Sequence, residues 1–213
     1  MVEMLEMYGE IPVVTRTLVT AMVAVLLLQF GGMLSPFDMY LNWRLVLQRG
    51  QVWRLVSSFF FLGVQPVPLL LHLFFTFRYS RMLEEGVFRG RWRDYAAMCA
   101  FGGGTLLALQ WLLTSAVPSL LPRMLFLGPS FSIFVLYVWA KFHADVRMNL
   151  FGMLPFSAPW FPYVIVAFGY LFGNLDSVVV DLAGIVAGHL YYFLAVVYPV
   201  TSGRNPLRTH FYG

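Results

Sequence analysis

The chain has 213 residues, of which 60% are hydrophobic and 11% are charged, and its formal net charge is +4. Because soluble domains carry about 25% charged residues, this composition excludes an ordinary soluble protein and predicts one membrane domain over residues 1–213. The basic excess does not indicate nucleic-acid binding, since the arginines lie at the ends of apolar runs. A single cysteine, Cys99, excludes an intrachain disulfide, and no Cys/His cluster has metal-ligand spacing. We therefore expect no cofactor, no metal and no nucleic-acid partner.

Six apolar segments predict an all-α, polytopic membrane protein with six transmembrane helices. We place the spans at residues 14–33, 57–77, 95–113, 124–140, 161–173 and 178–200. Spans four and five are short, and Pro66 and Pro68 fall inside span two. About 20 residues are needed to cross the ~30 Å hydrocarbon core, so these spans predict a bilayer that is thinned beside spans two and five.

The basic residues predict the orientation of the spans. With six spans both termini share one side, and that side holds ten of the fourteen lysines and arginines. The positive-inside rule then places both termini in the cytosol, with residues 201–213 as a short cytosolic tail.

The first loop, residues 35–56, keeps apolar residues at helical spacing and carries Trp53 and Arg54 side by side. A tryptophan ring suits the headgroup layer, and a guanidinium binds phosphate or a backbone carbonyl. We expect this loop to lie in the membrane interface on the non-cytosolic side, in contact with lipid or substrate. The second loop, residues 77–95, mixes five arginines with three acidic residues, which indicates local ion pairing or a surface that docks a partner.

Span six combines a carboxylate, two glycines and an imidazole. At about 100° per residue, Asp181, Gly184 and Gly188 share one helix face, and His189 lies about 100° round from Gly188. Two glycines four residues apart form a shallow groove that admits a neighbouring helix, with simple packing as the plainer interpretation. Asp181 is costly in lipid, so it caps, pairs, borders water or sits near the interface.

Ser130 follows Gly128 and Pro129 at the start of span four. A serine in this position is a nucleophile if a base lies within hydrogen-bond reach. Serines in membrane helices also bond back to the preceding turn, which is the structural alternative.

Several strings in the chain resemble the Derlins, the catalytically inactive branch of the rhomboid superfamily. The strings are QVWRL at 51–55, FRYSRMLEEG at 77–86 with FRGR at 88–91, YVW at 137–139, VRMNLFG at 146–152, and VDL at 180–182 leading to Gly188 and His189. The resemblance covers residues 10 to 200 and implies a six-helix rhomboid-like fold. It also implies that Trp53 and Arg54 are the signature of the first loop, and that Gly184 and Gly188 are the glycine pair of span six.

Rhomboid proteases carry a G-x-S-G serine on span four and a histidine in H-x-x-G-x-x-x-G on span six. This chain has Gly128-Pro129-Ser130-Phe131 for the first motif, and Asp181 stands where the second has its histidine. An aspartate is a weak base toward serine and lacks the imidazole geometry, and His189 is too far round the helix to replace it. We predict no catalytic residue, with Ser130 as a degenerate protease position. The alternative is an active intramembrane serine protease that uses Ser130.

The resemblance implies a role in endoplasmic-reticulum-associated degradation, in which misfolded proteins return from the endoplasmic reticulum to the cytosol. Expected partners are misfolded clients, the lipid bilayer, a membrane-bound ubiquitin ligase complex and an AAA ATPase. Because many Derlins have a longer tail with an ATPase-recruiting box, we expect ATPase contact here to be indirect. Homo- and hetero-oligomers both remain open.

Overall fold

The computed structural model describes residues 8–118, 124–150, 154–171, 175–202 and 207. The helices within these ranges are α1 Val13–Phe30, α2 Pro36–Met39, α3 Trp43–Arg49, α4 Arg54–Ser57, α5 Pro66–Met82, α6 Trp92–Ala116, α7 Gly128–Phe142, α8 Phe161–Leu171, α9 Leu175–Tyr192 and α10 Tyr198–Ser202. A π turn, Leu83–Val87, extends α5, and a second, Phe193–Val197, joins α9 to α10. Most of the predicted tail, residues 203–206 and 208–213, lies outside the described residues.

Six helices, α1 and α5 to α9, correspond to the six predicted spans, but span two is shifted. Its helix begins at Pro66 rather than at residue 57. The prediction that Pro66 and Pro68 fall inside span two is wrong, because both lie in the first turn of this helix, where the backbone N–H groups have no intrahelical partner.

Helix length divides these six into two groups. Three helices are long and apolar enough to cross a membrane by themselves: Val13–Phe30, Trp92–Ala116 and Leu175–Ser202. The other three are shorter, with 17 residues in α5, 15 in α7 and 11 in α8. The short fourth and fifth spans expected from the sequence are present, and the count of six membrane crossings stays a prediction.

A small antiparallel hairpin between α7 and α8 departs from the predicted all-α fold. Strand β1, Arg147–Leu150, pairs with β2, Leu154–Ser157, so that Arg147 lies opposite Ser157 and Met148 opposite Phe156. A 3₁₀ turn, Ala158–Trp160, then leads into α8. These strands were not predicted, because each has only four residues.

Helix α7 lies at the centre of the bundle. Twelve of its 15 residues are buried, and its most extensive contacts are with α9 and α5. Helix α1 is peripheral, since Thr15 and Met22 are its only buried residues. The core therefore forms around a short helix, and a long helix lies at its edge.

Candidate functional site

Helices α7 and α9 cross at the two glycines of α9. A Cβ atom at Gly184 would lie 2.4 Å from the Ser130 carbonyl oxygen, and one at Gly188 would lie 2.7 Å from Cδ1 of Tyr137. Real Cβ atoms do not approach other atoms so closely, so both positions need glycine if the helices are to keep this separation. The predicted groove is thus occupied by α7 of the same chain.

Ser130 is fully buried at this crossing. Its hydroxyl donates a hydrogen bond of 2.8 Å to the backbone carbonyl of Val180 on α9. This bond crosses between helices, so neither the nucleophile nor the back-bonding interpretation describes it. A serine whose proton is donated to an amide carbonyl has no general base at that proton.

Asp181 follows Val180 and is 1% exposed, so its carboxylate is enclosed by the protein. Its Oδ2 accepts a hydrogen bond of 3.1 Å from the Ser177 hydroxyl, one turn earlier on α9. A Cβ atom at Gly169 of α8 would lie 3.9 Å from the same Oδ2, so the carboxylate is directed toward α8. Its Oδ1 is buried and has no hydrogen-bond partner among the described residues.

His189 lies beside the crossing rather than in it. Its Nδ1 is 2.8 Å from the Tyr137 hydroxyl of α7, within hydrogen-bond distance. The imidazole borders an open groove of about 390 Å³ between α8 and α9, whose other lining residues are Tyr163, Ile185, Val186, Leu190 and Phe193. The structure therefore brings Ser130, Asp181, Gly184, Gly188 and His189 together at α7 and α9, but it pairs neither Asp181 nor His189 with Ser130.

Arg54 organises the first loop from its interior. Its Nη1 donates to the carbonyls of Phe37 and Tyr40 at 2.9 and 3.0 Å, and its Nε donates to Gln51 at 2.7 Å. The guanidinium also lies over the Tyr40 ring, 4.6 Å from its centroid. Buried hydrogen bonds from a charged donor are strong, so this one side chain fixes α2 against α4.

Trp53, the neighbour of Arg54, points outward and is 55% exposed. Four more large apolar side chains of the same loop are exposed: Phe37, Leu47, Val52 and Val56. An apolar surface rigidly held by Arg54 suits the membrane interface or an unfolded client segment.

The first loop is joined to the α7–α9 crossing through the backbone. The Ser58 carbonyl, just after α4, accepts from the N–H groups of Leu127 and Gly128 at 2.9 and 3.1 Å. A Cβ atom at Gly128 would lie 2.4 Å from the Phe61 carbonyl oxygen, so glycine is needed here as well. The two groups of predicted residues are separate sites on one connected framework.

Two buried polar residues that hold this framework were missed by the sequence analysis. Gln110 of α6 accepts from Nε1 of Trp43 and donates to the Met124 carbonyl at 3.3 Å, which secures α3. Glu84 accepts from the N–H groups of Val14 and Thr15 at 3.1 and 2.8 Å. For Gln110 the sequence offers a signal, since it is a lone amide in an apolar span. Glu84 gives no such signal, because its neighbours suggest that it is one more ion-pairing residue of its loop.

The second loop does contain local ion pairs. Arg81 pairs with Glu85 at 2.8 Å, and Arg91 pairs with Asp94 at 3.4 Å. Both pairs are well exposed, so each contributes little to stability. Glu84 instead caps α1, whose own N-cap residue, Pro12, provides no side-chain acceptor.

Comparison with known proteins decides the family. The model of the Der1-like family matches residues 11–210, nearly the whole chain. The chain belongs to the Der1-like family. Derlin-2.1 of Zea mays is 38% identical over 207 residues, which cover 96% of this chain and 82% of the relative. The probable derlin-2 homolog of Dictyostelium discoideum is 38% identical over 202 residues, 95% of this chain and 78% of the relative.

A third relative extends this comparison within the Derlins. Derlin-1 of Arabidopsis thaliana is 34% identical over 204 residues, 96% of this chain and 73% of the relative. Membership confirms the resemblance seen in the sequence and the rhomboid-like helical membrane fold. Together with the apolar helices, it makes the chain a multi-pass membrane protein. The functional roles of Trp53, Arg54 and the α9 residues stay predictions.

Proposed function

We propose that this Derlin is a non-catalytic component of endoplasmic-reticulum-associated degradation that assists the return of misfolded proteins to the cytosol. In this proposal the protein lowers the membrane barrier by thinning the bilayer and by presenting a partly hydrated helix groove, the open groove between α8 and α9 that His189 borders. The observation that carries it is the short, lipid-facing helix α8. Family membership supports the general role.

The thinning argument depends on which short helix meets lipid. Helix α7 has 15 residues, but it is enclosed by other helices and so imposes no length on the bilayer. Helix α8 has 11 residues, and with the 3₁₀ turn before it the described helix runs over Ala158–Leu171. At about 1.5 Å per residue in α8 and about 2 Å per residue in the turn, this segment is about 22 Å long, against a hydrocarbon core of about 30 Å. Its Tyr170 and Leu171 are 64% and 74% exposed, so lipid beside α8 must adapt to its length.

Buried polar groups near α8 support partial hydration. Asp181 carries an unpartnered Oδ1 and is directed toward α8, and buried Nδ1 of His72 on α5 also lacks a partner among the described residues. A buried polar group without a partner costs about 1–3 kcal/mol, which a bridging water recovers. Hydration of this kind lowers the cost of moving peptide groups through the membrane.

The proposed activity requires no chemistry on the client. The Ser130 hydroxyl is engaged with Val180, and Asp181 is engaged with Ser177. The exposed apolar surface around Trp53 would contact clients or lipid. We assign the protein to the endoplasmic reticulum membrane with both termini cytosolic, and we expect it to work with a ubiquitin ligase complex and, indirectly, with an AAA ATPase.

The test is a translation-block chase of a misfolded lumenal glycoprotein in cells that lack this protein. The cells are rescued with wild type, Ser130→Ala, Arg54→Ala or Arg49→Ala at equal expression. Arg49 is the matched control, since it is an exposed arginine of the same loop. We expect Ser130→Ala and Arg49→Ala to restore turnover, and Arg54→Ala to slow it several-fold because α2 loses its attachment to α4.

Two results would contradict the proposal. Turnover restored fully by Arg54→Ala would remove the first loop from the mechanism. A clipped client fragment that depends on Ser130 would revive the protease alternative and would require a base that the described geometry does not supply.

A further inference from the structure

The segment that joins α5 to α6 forms a compact basic surface, which we call the arginine loop (residues 88–93). Phe88 is fully buried and anchors the loop against Tyr95, with ring centroids 5.4 Å apart. Arg89 and Gly90 both have positive φ, 48° and 76°, and the Gly90 N–H donates to the Glu84 carbonyl. The loop is therefore a fixed turn with its arginines directed outward.

The charges of the arginine loop are only partly neutralised. Arg91 pairs with Asp94, and the remaining carboxylates nearby are committed elsewhere, Glu85 to Arg81 and Glu84 to α1. Neither Arg89 nor Arg93 forms an ion pair with a carboxylate of the described residues. At least two positive charges thus face outward from a rigid turn.

An exposed tryptophan stands among these charges. Trp92 is 48% exposed, and the guanidinium of Arg93 lies 5.4 Å from its ring centroid. Trp92 is also the first residue of α6, a helix long enough to cross the membrane. This places the loop at the level where tryptophan rings meet headgroups and guanidinium groups meet lipid phosphates.

We propose that the arginine loop binds the headgroups of anionic phospholipids in the membrane that holds the protein. The positive charge suits a phosphate-bearing anionic headgroup, and the apolar ring of Trp92 suits the adjoining acyl region. An acidic protein partner would match the charge but would leave Trp92 at the lipid boundary unexplained. A lipid accounts for both features.

The test uses the full chain in a neutral detergent, titrated with phosphatidylserine or phosphatidylcholine and observed by native mass spectrometry. We expect phosphatidylserine to bind more tightly, and its preference to fall as salt rises. The variant Arg89→Asn/Arg93→Gln should lose about fivefold in phosphatidylserine affinity for each arginine removed. Asparagine is chosen at position 89 because it tolerates positive φ.

Arg44→Gln/Arg49→Gln is the matched control, since it removes two exposed arginines from the first loop and changes the net charge equally. We expect it to keep the preference for phosphatidylserine. Glycerophosphoserine, the headgroup without acyl chains, should not compete, because it offers nothing to Trp92. Arg93→Gln alone should give an intermediate loss and guards against misfolding at position 89.

Three outcomes would overturn the proposal. An unchanged preference in the arginine-loop variant would show that the lipid binds elsewhere on the protein. An equal loss of phosphatidylserine affinity in the first-loop control would show that binding depends on net charge alone. Competition by glycerophosphoserine would show a site for free anions rather than for membrane lipid.

Discussion

Helices α7 and α1 are both predominantly apolar, yet they have opposite positions in the bundle. Helix α7 has 15 residues and buries twelve of them, whereas α1 has 18 residues and buries two. A helix enclosed by other helices need not match the bilayer, because its neighbours meet the lipid. A helix at the edge of the bundle meets the lipid itself, so its own length must match the bilayer.

The two helices are also held in place by different interactions. Lipid tails are as apolar as leucine, so hydrophobicity gives no drive for helices to associate in a membrane. Helix α7 is held by close packing against glycines, and α1 is held at one end by the carboxylate of Glu84. Three substitutions separate these forces, and we order them by the size of the expected effect.

Gly184→Val tests the close packing of α7 against α9 and should have the largest effect. Its side chain would overlap the Ser130 carbonyl, so the backbones must separate, at a cost of about 3 kcal/mol or more in unfolding free energy. Unfolding by SDS titration in mixed micelles measures this cost. Gly104→Val is the control, because a Cβ atom at Gly104 meets nothing within 4 Å. Equal stability of the two variants would contradict the role of packing.

The variants Ile133→Ala and Leu27→Ala compare the packing of α7 and α1 directly. Ile133 of α7 is fully buried, whereas Leu27 of α1 is exposed. Since the unfolded helices stay in lipid, only lost packing counts, and we expect about 1–2 kcal/mol for Ile133→Ala, below the range for soluble cores. Leu27→Ala should change the unfolding free energy by less than about 0.5 kcal/mol. A large effect at Leu27 would place α1 in an interface.

Glu84→Ala tests the attachment of α1. It leaves the N–H groups of Val14 and Thr15 without their acceptor, at a cost of about 1–2 kcal/mol. Hydrogen exchange should rise at the first turn of α1 and remain unchanged in α7. The neighbouring Glu85→Ala removes only an exposed ion pair and should leave exchange unaltered. Protection of α1 that survives Glu84→Ala would show that packing alone holds it.

Much of the bundle was predictable from the sequence because hydrophobic length determines where helices form. Five of the six span helices begin within four residues of their predicted starts, and the face shared by Gly184 and Gly188 followed from helical periodicity. The start of α5 was misplaced because residues 57–65 are as apolar as a span. Their backbone instead packs against the start of α7, a contact that no local pattern contains.

The candidate site was predictable in composition but not in pairing. Periodicity places Asp181 and Gly184 on one side of α9, but it does not reveal that Ser130 donates to the Val180 carbonyl. Tyr137 was seen only as part of a family string, although it meets both Gly188 and His189. Partners of this kind depend on how two distant helices cross, which a single sequence does not specify.

The Ser58 carbonyl, which accepts from both Leu127 and Gly128, gives the molecule a mechanical property. Trp53 lies five residues before it on a loop stiffened by Arg54, and the helix that begins at Gly128 reaches Ser130 two residues later. A displacement of the exposed loop would therefore act through these backbone hydrogen bonds on the start of α7. Under the proposed function, a client bound at Trp53 would act on the α7–α9 crossing as well as on the loop that it touches.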